Sequence, residues 1–271
     1  MTLIHVDPTT CCGDAVCAEV CPLGLISLEN EAGLPAMGEG SEEFCVHCGH
    51  CVAVCGTGAM SHCACPVSEC EPLNADWRFH PSQVASFFKG RRSVRRYKEQ
   101  LVPKETIERI IDISRYAPTG QNAQSVSWLV VYNPERVRTL AAAIVTWLRS
   151  MNEQQPTMAH ALHVPWYIDC WDHGTDTVLR GAPHIVIAHG TKGDEISKLG
   201  SLLNMASFEL AAQAHGLGAC WSGYTMMLPG VEELLGLPDG HQAFAAMLLG
   251  FPKHQYHRIP VRRAANVDWM L

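Results

Sequence analysis

The run Cys45-x-x-Cys48-x-x-Cys51-x-x-x-Cys55 sets four thiols at intervals suited to iron–sulfur chemistry. A tight loop with this spacing wraps three sulfurs around one corner of a cubane, and the fourth reaches away to a second cluster. A matching series upstream ends Cys17-x-x-x-Cys21-Pro22. On the same spacing it runs Cys11, Asp14, Cys17, Cys21, with a carboxylate at the second position. The adjacent Cys12 serves there only if the loop is rebuilt. A carboxylate is a harder ligand than a thiolate, so the site is open to a three-iron as well as a four-iron cluster. The rival chemistry is a zinc ribbon made of two Cys pairs, which needs four ligands and tolerates wider spacing. Seven cysteines at the iron–sulfur intervals argue against zinc. Cys63, Cys65 and Cys70 form a weak C-x-C-x4-C pattern and read as surface or packing thiols, while the isolated Cys170 and Cys220 read as structural.

A second constellation begins at Arg91. Four arginines fall within Arg91-Arg92-Ser93-Val94-Arg95-Arg96-Tyr97, in a chain whose net charge is −7. Forked guanidiniums beside a hydroxyl suit a phosphate. Alone, the patch reads as a solvated basic surface. The polar loop Ala117-Pro118-Thr119-Gly120-Gln121-Asn122-Ala123-Gln124 adds amide side chains, which both donate and accept.

The elements that must position these residues follow from periodicity. Pro103 opens a helix that shows Ile107, Ile110, Ile111 and Ser114 on one face and stops before Pro118. Ser127 to Tyr132, His184 to His189 and Ala243 to Phe251 read as strands, and Ser201 to His215 as a nearly all-apolar helix closed by Gly216 and Gly218. Strands interleaved with long helices imply an α+β sheet-and-helix core. A Pro-bearing stretch over residues 66–86 reads as a linker, dividing a small domain over 1–65 from a large one over 87–271. Apolar content of 47 % and charged content of 17 % fit a well-buried protein. The acidic balance argues against broad nucleic-acid affinity. No apolar run is long enough to span a membrane, and the first residues lack the pattern of a signal peptide, so a cytoplasmic setting that keeps thiols reduced is expected.

The large domain resembles the nitroreductase-like flavoprotein superfamily. The resemblance rests on Arg91-Arg92-Ser93-x-Arg95, Tyr116-Ala117-Pro118-x-x-x-Asn122-x-Gln124, Gly216-Leu217-Gly218-Ala219-Cys220-Trp221-Ser222-Gly223, Leu249-Gly250-Phe251-Pro252 and Arg258-Ile259-Pro260, in that order. The whole chain is similar to the branch that carries a two-cluster bacterial ferredoxin domain at its N-terminus. That resemblance implies a nitroreductase-like core with a small ferredoxin-like iron–sulfur domain. In the ferredoxin pattern Cys11, Cys17 and Cys55 hold the first cluster, with Asp14 or nothing at the fourth iron. Cys45, Cys48, Cys51 and Cys21 hold the second. Gly56 stands where the pattern expects Pro.

The resemblance also implies FMN at a homodimer interface. Arg91, Arg92, Ser93 and Arg95 would grip the phosphate and ribityl chain, joined by Arg258 from the C-terminal tail. Asn122 and Gln124 would bond the ring edge. The Ser222-Gly223 turn would present backbone N–H groups near N5, with Gly223 permitting close approach. Residues 134–180, with Trp147, Trp166, Tyr167, Trp171, His160, His163 and His173, correspond to an insertion that shapes the substrate pocket in this family. As residues alone they read as helix core or subunit contacts, and the histidines as surface groups.

The function expected is an oxidoreductase passing electrons from iron–sulfur clusters through FMN to a small planar acceptor. A ferredoxin-like protein or NAD(P)H is the donor. The flavin carries the chemistry and no catalytic side chain is assigned, although Tyr224 and Cys220 are placed to give a proton. Alternatives are a flavin reductase, a non-enzymatic electron-transfer or redox-sensing protein, and the dehalogenation or flavin fragmentation of other branches.

Overall fold

The computed structural model describes residues 2–28, 33–74 and 78–270. Chain contacts divide it into two units. One comprises residues 1–79 with the Gly120–Ala123 loop, and the other comprises 80–119 with 124–271.

In the first unit, strand β1 (Ile4–Val6) is followed by helix α1 (Val16–Glu19), β2 (Ile26–Ser27), β3 (Ala36–Met37), α2 (His50–Ala53) and β4 (Met60–His62). β1 pairs antiparallel with β4, setting Ile4 opposite His62, and β2 pairs antiparallel with β3. The strands are too short to hold a sheet alone. A small core of Ile4, Cys17, Ile26, Cys51, Val52 and Met60 closes the unit. Both helices begin after a left-handed residue, Ala15 (φ 61°) and Gly49 (φ 70°), so the two cysteine series enter their helices by the same turn.

The second unit starts earlier than the sequence reading placed it. Helix α3 (Pro81–Gly90) occupies the end of the expected linker, of which residues 75–77 lie outside the described set. His80 caps it through Ser82 N–H while Gln83 reaches back to the His80 N–H, and Pro81 sits at the first helical position. Prolines here therefore mark a helix start rather than continuous loop. α4 (Lys104–Ser114) follows, burying Ile107, Ile110 and Ser114 and ending at Arg115, ahead of Pro118.

Next come β5 (Ser127–Val131), α5 (Pro134–Gln154), α6 (Pro156–Ala161), α7 (Val164–Asp172), β6 (His184–Thr191), α8 (Glu195–Ala214), β7 (Gly218–Trp221), α9 (Gly223–Met227), α10 (Val231–Leu235) and β8 (His241–Gly250). The sheet runs β5-β6-β8-β7 with every neighbour antiparallel. Because strand side chains alternate, Ile185, Ile187 and Leu248 pack with Leu140, Ile144 and Leu148 of α5 on one face. Val186, Ala188, Met247 and Leu249 pack with Ile110 of α4 and Met205 and Phe208 of α8 on the other. Both faces are covered, which is why β6 reads as a continuous apolar run.

The arginine segment joins this sheet at its β7 end. Ser93 bridges Ala219 in parallel, and Val94 N–H donates to Ala219 O at 2.9 Å. Further on, Lys98 N–H donates to Phe251 O and Lys253 N–H to Arg96 O, both at 2.9 Å. Gly218 makes this docking possible, since a Cβ there would lie 2.6–2.8 Å from three atoms of the Val94 side chain.

Candidate functional site

In the first unit two cavities gather the cysteines crosswise. Cys11, Cys12, Asp14 and Cys17 line one together with Cys55. Cys45, Cys48 and Cys51 line the other together with Cys21. Asp14 and Cys12 thus both face the first cavity, and an Asp14 Oδ1 also accepts the Val16 N–H at 3.3 Å. Leu25 N–H points at Cys21 Sγ (3.3 Å) and Met60 N–H at Cys55 Sγ (3.4 Å). Burial pushes the Cys51 thiol up to about 11 and raises Cys17. Burial also opposes ionisation of Cys55, but hydrogen bonds from Met60 and Thr57 outweigh it and lower that thiol.

His62 is a residue that sequence reasoning missed. It is buried at the end of β4, lines the second cavity, and sets Nε2 3.6 Å from Cys45 Sγ. Burial, and then the neighbouring His47, hold its pKa below the ordinary histidine value. Cys45, His47 and His62 form the one group of His, Cys, Asp or Glu side chains among the described residues whose possible ligand atoms all lie within 4.8 Å of one another. His160 and His163 make no such group. Cys65 and Cys70 do not lie as isolated thiols; their sulfurs are 3.4 Å apart.

In the second unit a cavity of about 240 Å³ opens beside β7 and α9. Arg95, Ser222 and Gly223 of the anticipated flavin set line it, with Tyr167, Arg180, Cys220, Trp221 and Tyr224. A Cβ added to Gly223 would meet nothing within 4 Å. Its N–H, at the start of α9, has no intrahelical acceptor. Ser222 differs from expectation. Its N–H is spent on Ala246 O (2.9 Å) and its hydroxyl on Thr225 Oγ1 (2.8 Å).

Arg91 does not itself line the cavity. Its Nη1 donates to Glu209 Oε1 at 2.7 Å, and Glu209 Oε2 accepts from the Nε1 of Trp221 at 3.2 Å. A guanidinium has five N–H donors, so this pairing leaves an edge for a phosphate. Glu209 was hidden within the apolar α8, though it shares a face with the buried Met205 and Phe208, which is a signal in itself. Arg92 is half-buried, and Arg258 is exposed on the extended C-terminal segment.

Asn122 and Gln124 are not brought to this cavity. Asn122 groups with the first unit, where its Nδ2 donates to Val46 O (3.2 Å) and His47 O (3.0 Å). The backbone there is unusual, since Gln121, Asn122 and Gln124 all have left-handed φ near 50°. Side chains with a Cβ are held there only by surrounding structure.

The insertion over 134–180 contributes Tyr167, whose ring meets Tyr224 edge-on at 5.1 Å. Trp147 and Trp171 pack on the core, while Trp166 is exposed. Arg180 lies in left-handed backbone (φ 64°) and lines both the 240 Å³ cavity and a larger one of about 590 Å³, none of whose lining residues belongs to the anticipated flavin set. Three N–H donations to Asp176, from Val178, Leu179 and Gly181, fix that turn. Burial, and then Tyr167, push Tyr224 up to about 12, and its hydroxyl donates to Leu162 O at 2.9 Å. Burial likewise raises Cys220. Both stay protonated at neutral pH.

Comparison with known proteins agrees with this architecture. The sequence profile of the Nitroreductase family matches residues 88–251. The chain belongs to that family, and with it to the FMN-dependent oxidoreductases. It is 25 % identical over 165 residues to the FMN reductase (NADPH) of Bacillus subtilis, covering 59 % of this chain and 62 % of that protein. The crystal structure of a nitroreductase with bound FMN from Bacteroides fragilis shares the fold at a TM-score of 0.57 and 20 % identity, over 69 % of this chain and 98 % of that one. An FMN and NADPH-dependent nitroreductase from Sphigopyxis sp. strain HMH does so at a TM-score of 0.52 and 20 % identity, over 69 % and 98 %. Among the described residues no helix is long and apolar enough to cross a membrane.

Proposed function

We propose that this protein is an FMN-dependent oxidoreductase that draws electrons through two thiolate-held iron–sulfur clusters and delivers them to a small planar acceptor. FMN, when bound, supplies the exchange between single electrons and a hydride, and the clusters supply single electrons. The observation that carries the flavin part is the cavity beside β7. It joins aromatic walls (Tyr167, Trp221, Tyr224), the guanidiniums of Arg95 and Arg180, and open space over Gly223. That combination suits a flat ring with an anionic edge.

In this reading Arg91, Arg92, Ser93, Arg95 and Arg258 hold the phosphate and ribityl chain. Glu209 orients Arg91, and the Gly223 N–H rather than that of Ser222 meets the ring. Asn122 and Gln124 bond a ring edge and the working unit is a homodimer, as the family resemblance implies. Tyr224 and Tyr167 form a wall against which a planar acceptor stacks. Tyr224 directs its proton at Leu162 O, so the proton for the product comes from solvent. The crosswise cysteine cavities support two clusters, one on Cys11, Cys17 and Cys55 with Asp14, the other on Cys21, Cys45, Cys48 and Cys51. The donor is a ferredoxin-like protein or NAD(P)H.

The test is anaerobic quantification of iron, sulfide and flavin on purified protein, with EPR on the same sample. About seven or eight irons and one FMN per chain are expected, followed by reduction of a nitroaromatic by reduced ferredoxin or NADPH. Zinc without sulfide would remove the clusters from the reading. FMN lost on dialysis while free FMN is turned over would make the protein a flavin reductase instead.

A further inference from the structure

His62 is one of the few buried polar side chains of the first unit, and both ring nitrogens are engaged. It ends β4 with 2 % of its surface exposed. Ala64 N–H points at Nδ1 from 3.0 Å. A backbone N–H can only donate, so Nδ1 is the acceptor and the ring proton sits on Nε2. Nε2 lies 3.6 Å from Cys45 Sγ, within reach for a donor to sulfur. His47 closes the far side, its ring edge-on to His62 at 5.2 Å, and the His47 carbonyl is itself held by Asn122 at 3.0 Å. His62 cannot swing away without giving up the Ala64 bond and leaving a buried polar ring unpaired.

We infer that His62 is a positioning residue that sets the reduction potential of the cluster held by Cys21, Cys45, Cys48 and Cys51, by donating its Nε2–H to the Cys45 sulfur. The inference rests on the cluster reading above. Its physical basis is simple. A donor dipole aimed at a ligating sulfur stabilises the more negative, reduced cluster over the oxidised one, and so raises the potential. Outer hydrogen bonds of this kind also fix the orientation of the ligand.

The experiment is an EPR-monitored redox titration of the full-length protein at fixed pH, comparing wild type with His62→Phe and His62→Gln. Cys48→Ser identifies which signal belongs to the second cluster. The expected result is a negative shift of that cluster's midpoint in His62→Phe. The first cluster should be unmoved, and His62→Gln, which keeps a side-chain N–H, should recover part of the shift. An unchanged midpoint, or equal shifts of both clusters, would overturn the inference, since a general packing defect moves both. Should His62→Phe fail to assemble, pulsed EPR on wild-type protein with ¹⁵N-labelled histidine decides. A nitrogen coupling on the second cluster is expected, and its absence overturns the assignment. Wild-type protein lacking iron and sulfide, or holding zinc on Cys45, His47 and His62, overturns both this inference and the cluster reading. Full iron with an unmoved midpoint overturns this inference alone.

Discussion

Replacing Gly218 by alanine should disturb the flavin site without touching any residue proposed to contact the cofactor. Gly218 opens β7 directly beneath Val94. An added Cβ would sit 2.6, 2.7 and 2.8 Å from Val94 Cγ1, Cβ and Cγ2. Ordinary contact begins at 3.4 Å, so the closest pair must separate by 3.4 − 2.6 = 0.8 Å. Val94 cannot swing aside, because its branched side chain is 8 % exposed and its N–H is tied to Ala219 O. The whole arginine segment must therefore lift from β7. Overpacking of this kind costs about 1–3 kcal/mol, a fall in Tm of roughly 2–12 °C for a domain of this size. The larger effect is positional. Arg95 rides on the same segment and lines the 240 Å³ cavity, and a displacement approaching 1 Å can cost on the order of 100-fold in a positioned reaction. Thermal unfolding, FMN titration and kcat/KM with a nitroaromatic should be measured on one preparation. Val94→Ala in the Gly218→Ala background removes both Cγ contacts and should return part of the loss. A variant with wild-type Tm and wild-type FMN affinity would refute the idea that β7 holds the arginine segment in place.

Arg91→Ala should weaken FMN binding by roughly 10- to 150-fold, the worth of a charge-assisted hydrogen bond of about 1.5–3 kcal/mol. The Arg91→Ala, Glu209→Gln double variant relieves the unpaired buried carboxylate, so flavin content that recovers fully in the double variant would mean Arg91 only shields Glu209. Stability should fall on acidification partly through His184, which is fully buried, accepts Val102 N–H at Nε2 (3.0 Å) and donates from Nδ1 to Tyr132 O (2.8 Å). Burial lowers its folded pKa beneath the reference 6.5. Above that reference both states are neutral; as the pH drops through it the unfolded chain takes the proton first, so up to about 1.4 kcal/mol per pH unit is lost until the folded pKa is reached. Urea unfolding of His184→Gln should show a shallower pH slope across that window, and an identical slope would assign the loss to other groups. Asp14→Cys should convert any three-iron signal to a four-iron one, and an unchanged EPR spectrum would take Asp14 out of the site. Cys48→Ser should remove one cluster and leave FMN bound; loss of both cofactors would mean that the two units fold together.

What could be read from the sequence was whatever local geometry dictates. The strand β6 follows from its continuous apolar run, the α4 stripe of Ile107, Ile110 and Ser114 from side-chain period, and the cysteine intervals carry their own chemistry. Long-range partnerships left weaker traces. α3 was concealed because prolines that usually break helices sit here at a capped start. β7 was read as part of a motif because four residues are too few to show alternation; it is a strand only because β8 lies beside it. The apolar character of α8 drew attention away from Glu209, whose burial makes sense only once Arg91, 118 positions earlier, is seen against it. His62 was unremarkable in sequence for the same reason, as its partner Cys45 is 17 positions away across a turn.

The amide loop makes the sharpest case. The family resemblance placed it at a flavin edge, yet Asn122 bonds Val46 and His47 of the first unit. A loop that holds three side-chain-bearing residues in left-handed backbone, and spends its amide on the carbonyls of Val46 and His47, is organised around the cysteine series. Asn122→Ala removes both donations and should therefore shift the second cluster's midpoint in an EPR-monitored titration. An unchanged midpoint would take the loop out of that cluster's surroundings.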